Sequence, residues 1–175
     1  MSESPPLSDG LVVLRDWSAD DAGWYAAAVR DPEIQRFTSE PADLSARRVR
    51  TAIADLRGRP DQVGLVICDA LTGERLGNIA LRRVGVAGEV SYWVAAPARG
   101  RGVATAALRL LSDWALERLG VEELRLWCHA DNGPSRRVAE RAGYRRASPG
   151  RREHLVKGQV WPVVDYVRTA GTRRL

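Results

Sequence analysis

Residues 93–104, Trp-Val-Ala-Ala-Pro-Ala-Arg-Gly-Arg-Gly-Val-Ala, constrain this chain more than any other segment. An apolar run ends, a turn built on Pro97, Gly100 and Gly102 follows, and a helical stripe of Ala104, Leu108, Leu111, Ala115 and Leu119 begins. A helix N-terminus offers free backbone N–H groups and the positive end of the peptide dipole. Glycines let the backbone approach an anion closely, and Arg99 and Arg101 add charge. A strand–turn–helix of this kind suits a pyrophosphate; the plainer alternative is a turn that needs glycine for its geometry alone. The glycine spacing differs from the dinucleotide-binding fingerprint, and no Gly-Lys-Ser/Thr is present, which excludes the phosphate loop of nucleoside triphosphatases.

The rest of the chain reads as alternating strands and helices. Residues 1–8 form a loose tail, and 9–175 a single domain. Leu11–Arg15 is a strand. Ser18 opens a helix with Asp20 and Asp21 in its first turn, and Asp31-Pro32 stops it. Glu33–Asp43 reads as a loop and Ser45–Arg57 as a second helix, with Val49, Ala52, Ile53 and Leu56 on one face. Three strands follow, Val63–Asp69, Leu76–Val84 and Glu89–Ala95. In the last, Val90, Tyr92 and Val94 share one face and Glu89, Ser91 and Trp93 the other. After the long helix, capped by Gly120, come a strand at Glu123–Ala130, a short helix from Gly133-Pro134 to Gly143, and two strands near Tyr144–Val156 and Val160–Thr169. The expected class is α/β: a mixed sheet of about seven strands flanked by about four helices.

Charge narrows the partners. The chain has 27 Lys and Arg against 22 Asp and Glu, and Lys157 is the only lysine. A basic excess points to a polyanion or to a solvated surface of mixed charge. No zinc-finger, basic-zipper or aromatic RNA-binding pattern accompanies it, so nucleic acid is a weak expectation. Arg145, Arg146, Arg151 and Arg152 form the densest cluster and have no assignment. There is no apolar run of membrane-spanning length, and Met1–Pro6 does not read as a signal peptide. Cys68 and Cys128 make neither a disulfide framework nor a metal cluster, so no metal is expected and a cytoplasmic setting fits.

The motifs resemble those of the GCN5-related N-acetyltransferase (GNAT) superfamily. Arg99-Gly100-Arg101-Gly102-Val103-Ala104 is similar to the acetyl-CoA motif of that family. Asn132-Gly133-Pro134-Ser135, followed by Arg141-Ala142-Gly143-Tyr144, is similar to its second block. The likeness spans about residues 9 to 170, and the Glu89–Val94 strand with Ser135 resembles the group of ribosomal-protein N-terminal acetyltransferases.

The resemblance implies a sheet splayed between the fourth and fifth strands, here Glu89–Ala95 and Glu123–Ala130. Backbone N–H groups from Arg101 through Gly102 and Val103 to Ala104 would hold the coenzyme pyrophosphate, with Arg99 and Gly100 in the same loop. The pantetheine arm would pair with the fourth strand. An N–H at Val94 or Ala95 would polarise the thioester carbonyl. Asn132 would bond the pantetheine, and Ser135 would sit by the sulfur. Glu89 is the candidate base and His129 its rival. Trp93 and Trp127, one on each splayed strand, are candidate walls of the acceptor site, and His129 is a candidate substrate-binding residue with them. Many members place a Tyr acid where this chain has Ala139, so the acid role falls to Ser135 or solvent.

The function expected is acetyl transfer from acetyl-CoA to a primary amine, with a protein or peptide α-amine favoured and a homodimer an open option. Alternatives are a small-molecule amine, a donor such as aminoacyl-tRNA, and a non-catalytic basic nucleic-acid-binding module.

Overall fold

Period-two alternation in the strands and long apolar stripes in the helices build a three-layer molecule around one sheet. The computed structural model describes residues 6–171. Its strands are β1 (Leu7–Ser8), β2 (Val12–Asp16), β3 (Gln62–Asp69), β4 (Arg75–Val84), β5 (Ala87–Val94), β6 (Glu123–His129), β7 (Arg145–Val156) and β8 (Gln159–Thr169). They form one eight-stranded sheet in the order β1-β2-β3-β4-β5-β6-β8-β7. Every neighbouring pair is antiparallel except β5 and β6. The helices are α1 (Ala22–Ala28), α2 (Pro32–Phe37), α3 (Ala46–Leu56), α4 (Val103–Arg118) and α5 (Gly133–Arg141).

Two expectations are corrected. The tail expected over 1–8 ends early, because Leu7 and Ser8 pair with Leu14 and Val13 and add an eighth strand; residues 1–5 lie outside the described residues. The loop expected over 33–43 begins with a helix. Pro32 takes the first helical position, and the Asp31 side chain accepts from the N–H groups of Glu33 and Ile34. Proline thus ends α1 and starts α2, which is why the fold has five α-helices rather than about four.

One face of the sheet carries the main core. Leu14, Ile67, Leu81, Val90, Leu124 and Tyr166 pack against Leu108 and Leu111 of α4 and Ala139 of α5. The opposite face packs Val66, Cys68 and Trp93 against α1, α2 and α3. Strand β3 therefore has a run of four buried residues, Leu65–Cys68, as a strand covered on both faces requires. Asp21, nearly fully buried, ties the first layer to the sheet through Arg15 at 2.9 Å and Arg75 at 2.6 Å. No helix among the described residues is long and apolar enough to cross a membrane.

Candidate active site

The site follows from one break in the sheet. Strands β5 and β6 pair in register only at Ala87–Glu123, Gly88–Leu124 and Glu89–Arg125. Beyond Glu89 they part, while β5 stays paired with β4 as far as Val94. Successive residues of a strand direct their backbone groups to opposite sides. The Ala95 N–H bonds the Leu76 carbonyl on the β4 side at 2.8 Å. Val90, Tyr92 and Val94, of opposite parity, therefore present their N–H and C=O groups to the gap. Of the two expected carbonyl-polarising donors, Val94 is open to the gap and Ala95 is already spent on β4.

The gap runs into a cleft of about 1590 Å³ that reaches both faces of the sheet. A pocket for one small ligand is usually about 300–1,000 Å³, so this cleft has room for a donor and an acceptor together. At one end lies the glycine turn. Gly100 and Gly102 have φ of +74° and +76°, a backbone region that side chains disfavour. A Cβ at Gly100 would meet no atom within 4 Å, so the space in front of the loop is open. Gly102 caps α4 without any side-chain cap, and the first intrahelical bond is from Ala106 N–H to the Gly102 carbonyl at 3.0 Å. The N–H groups of Val103, Ala104 and Thr105 are thus left for an anion.

The two arginines of the turn do not meet that space freely. Arg99 lines the cleft but bonds Asp31 at 2.6 Å, and Arg101 reaches back to Asp69 at 3.2 Å. Burial alone would raise the Asp31 carboxyl, but Arg99 and the two α2 N–H groups hold it below its usual range. These pairs fasten the turn to α2 and to the end of β3. What the turn offers an anion is therefore mainly backbone N–H groups, and Arg137 and Arg141 of α5 also line the cleft.

On the far side of the gap, Asn132 caps α5 by accepting the Ser135 N–H at 3.1 Å, which leaves its amide N–H donors for a ligand. The Ser135 hydroxyl lies 2.9 Å from the Tyr92 hydroxyl and 3.3 Å from the Cys128 sulfur. Burial raises the Tyr92 phenol and pushes the Cys128 thiol up to about 11, so both stay protonated at neutral pH. Tyr92 is a polar member of the site that the sequence reading placed only by strand face. Its β5 parity shows the face, but not that a serine distant in sequence would meet its hydroxyl.

Glu89 sits at the last paired step before the gap and lines the cleft. Its carboxylate is half-exposed and bonds Arg82 at 2.5 Å. His129 does not line the cleft. Its Nδ1 accepts the Asp131 N–H at 3.1 Å, and its ring lies against Phe37 and Trp161. Of the two expected bases, Glu89 faces the cleft and His129 packs beside it. Trp93 is buried against Val29 and Ile34, with its ring stacked on Trp24, while Trp127 packs edge-on to Trp161 and His154; both line the cleft. Cys68 and Cys128 are buried free thiols.

Comparison with known proteins bears on this geometry. Residues 12–145 match the acetyltransferase (GNAT) domain. The chain belongs to the GNAT acetyltransferase family. Acetyl transfer from acetyl-CoA is the chemistry of that family, and the open glycine loop and unpaired β5 edge fit such a donor. YdaF of Bacillus subtilis strain 168, provisionally named a ribosomal N-acetyltransferase, is 32% identical over 117 residues. That match takes in 67% of this chain and 62% of YdaF. Among solved structures, RimL, a ribosomal L7/L12 alpha-N-protein acetyltransferase in complex with coenzyme A, superposes with a TM-score of 0.83. Its identity is 18%, covering 94% of this chain and 98% of RimL. RimJ of Mycobacterium smegmatis, in complex with CoA-disulfide, gives 0.82 at 21% identity, covering 98% of this chain and 88% of RimJ. At these identities the structural likeness is one of fold.

Proposed function

We propose that this chain transfers the acetyl group of acetyl-CoA to the α-amine of a protein or peptide N-terminus in the cytoplasm. One observation carries the reading: β5 leaves β6 immediately in front of the free N–H groups of α4, so an unpaired strand edge and an anion site open into one cleft. The relatives named as ribosomal-protein acetyltransferases favour the protein acceptor.

The donor supplies an activated thioester. Val103, Ala104 and Thr105 hold its pyrophosphate through their N–H groups, and the edge from Val90 to Val94 pairs with its amide arm as an added strand. The Val94 N–H is directed at the thioester carbonyl, where negative charge develops as the amine attacks. An α-amine has a pKa near 8 and arrives largely protonated, so a base is required. Glu89 takes that proton, directly or through water. As the C–S bond breaks, the nitrogen's second proton passes to the departing thiolate through water; Ser135, beside the Tyr92 hydroxyl, donates a hydrogen bond to that sulfur and so serves in place of the Tyr that position 139, an alanine, does not supply.

Calorimetry with acetyl-CoA, followed by mass spectrometry on a panel of peptides and small amines, tests the reading. Low-micromolar binding with acetylation of peptide α-amines is expected. Failure to bind any acyl-CoA would overturn the enzyme reading, and exclusive modification of small amines would overturn the acceptor.

A further inference from the structure

A second polar feature of the cleft lies opposite the gap, on the segment between α2 and α3. The Oε1 atom of Glu40 accepts two hydrogen bonds, from the Tyr25 hydroxyl at 2.5 Å and from the Trp93 indole Nε1–H at 3.1 Å. Both donors are neutral. Among the described residues no Lys, Arg or His lies within 4.0 Å of the Glu40 carboxylate. Lys157, whose charge does reach it, directs its ammonium to the Gln35 main-chain and side-chain oxygens at 3.0 Å each. Among the described residues the other oxygen, Oε2, has no protein partner and is not sealed in the interior, and Glu40 lines the cleft.

The neighbouring carboxylates differ. Glu89 is charge-paired with Arg82 through Oε2, and Asp165 faces Arg152 at 3.8 Å and His154 at 3.7 Å. Glu33, at the start of α2, is exposed to bulk water. Glu40 is instead half-buried among aromatic rings. Trp93, its anchor, immediately precedes Val94, the residue whose N–H opens to the gap. For holding Trp93 and Tyr25 alone, an uncharged carbonyl oxygen would serve. A partly desolvated carboxylate with one oxygen free favours a cation, and the acceptor of this reaction arrives as one.

We infer that Glu40 receives the acceptor: its free Oε2 binds the incoming ammonium group, between the aromatic walls and beside the thioester site. This inference rests on the amine-acceptor reading above, and it defines the acceptor class as one that enters charged. Glu40 is a binding residue, and the proton is removed elsewhere.

The test uses the full chain labelled with ¹⁵N, with the Trp93 indole resonance assigned from Trp93→Phe. L-alanyl-L-alaninamide supplies an α-ammonium, and its N-acetylated form is the neutral control. The indole signal is expected to move on titration with the first and to respond at least tenfold more weakly to the second. Glu40→Gln keeps a carbonyl oxygen for Tyr25 and Trp93, so the free protein should retain the Trp93 signal while binding the ammonium at least tenfold more weakly. In turnover, KM for the amine should rise with the acetyl-CoA Kd unchanged. Equal binding of both probes, or wild-type affinity in Glu40→Gln, overturns the inference. A chain that binds the ammonium as expected but fails to bind acetyl-CoA in calorimetry would overturn the transferase reading alone.

Discussion

Gly77 offers a sharp test of how the gap is built. It lies in β4 opposite Val94, at the last step where β4 and β5 pair. A Cβ placed there would come within 2.3 Å of the Trp93 carbonyl oxygen and 3.1 Å of the Val94 Cα. Both are backbone atoms and cannot rotate aside. Ordinary contact begins near 3.4 Å, so Gly77→Ala forces the two strands apart by about 1 Å. Overpacking of this kind costs about 1–3 kcal/mol. The adjacent Ala95–Leu76 hydrogen bond, now 2.8 Å, would stretch and lose up to about 1 kcal/mol more. A total near 2 kcal/mol lowers Tm by about 4–8 °C for a chain of this size. The same displacement moves the Val94 N–H away from the thioester carbonyl, and a misplacement of about 1 Å costs about 100-fold in rate. Urea unfolding and single-turnover acetyl transfer measure the two effects separately. Binding of acetyl-CoA, shared between the glycine loop and the several groups of the Val90–Val94 edge, should change less than turnover, which depends on the aim of the single Val94 N–H. A Gly77→Ala protein with the wild-type urea midpoint and wild-type kcat would refute the close-approach argument.

Other substitutions probe the remaining parts. Glu89→Gln should lower kcat by about 100-fold or more, as removal of a general base does, with the acetyl-CoA Kd unchanged in calorimetry; unchanged turnover would remove Glu89 from the base role. Tyr92→Phe should cost about 1–2 kcal/mol of stability for its lost hydrogen bonds to the Ser135 carbonyl and hydroxyl and slow single-turnover thiol release, whereas a wild-type rate would limit Tyr92 to packing. Gly102→Val places a branched side chain at positive φ and should weaken acetyl-CoA binding by at least about tenfold, since each factor of ten requires only 1.4 kcal/mol; normal calorimetric affinity would contradict the loop assignment. Burial alone would raise the Asp21 carboxyl, but Arg15, the Ser18 N–H and Arg75 hold it well below the usual range. Its contribution to stability is therefore complete above the unfolded carboxylate pKa near 3.9 and is lost as pH falls below that value. Asp21→Asn should cost about 1.5–3 kcal/mol at pH 7, the range for losing hydrogen bonds to a charged group, since Arg15 and Arg75 are each about one-third exposed and keep access to water, and it should flatten that acid limb in a chemical-denaturation series.

Much of the fold was legible along the chain because it depends on short-range rules. The Pro/Gly turn before α4, the start of α5 at Gly133-Pro134 and the face parity of β5 each follow from a few adjacent residues, and all lie where they were read. Pro32 was legible as a stop for α1 but not as the start of α2. The same fixed φ serves both ends, and only the Asp31 side chain bonding forward shows which follows. Leu7–Ser8 is too short to carry a periodic signal and becomes a strand only because β2 offers it an edge.

The site divides along the same line. The anion-binding turn, Ser135 and Glu89 could be named from motif and parity, because each sits at a fixed offset within one element. The fate of Arg99 and Arg101 could not, since their carboxylate partners, Asp31 and Asp69, lie far away in the sequence. Nor could the Tyr92–Ser135 contact, which joins residues 43 apart, or the Trp93–Glu40 bond, which joins residues 53 apart. Sequence alone determined that this chain carries an N–H-lined turn at the end of a strand, and hence the class of donor it suits. Tertiary structure decided which strand edge is left unpaired, which arginines are neutralised and which carboxylate is held by Tyr25 and Trp93 in the cleft wall. Those outcomes depend on packing between distant segments, and no local propensity records them.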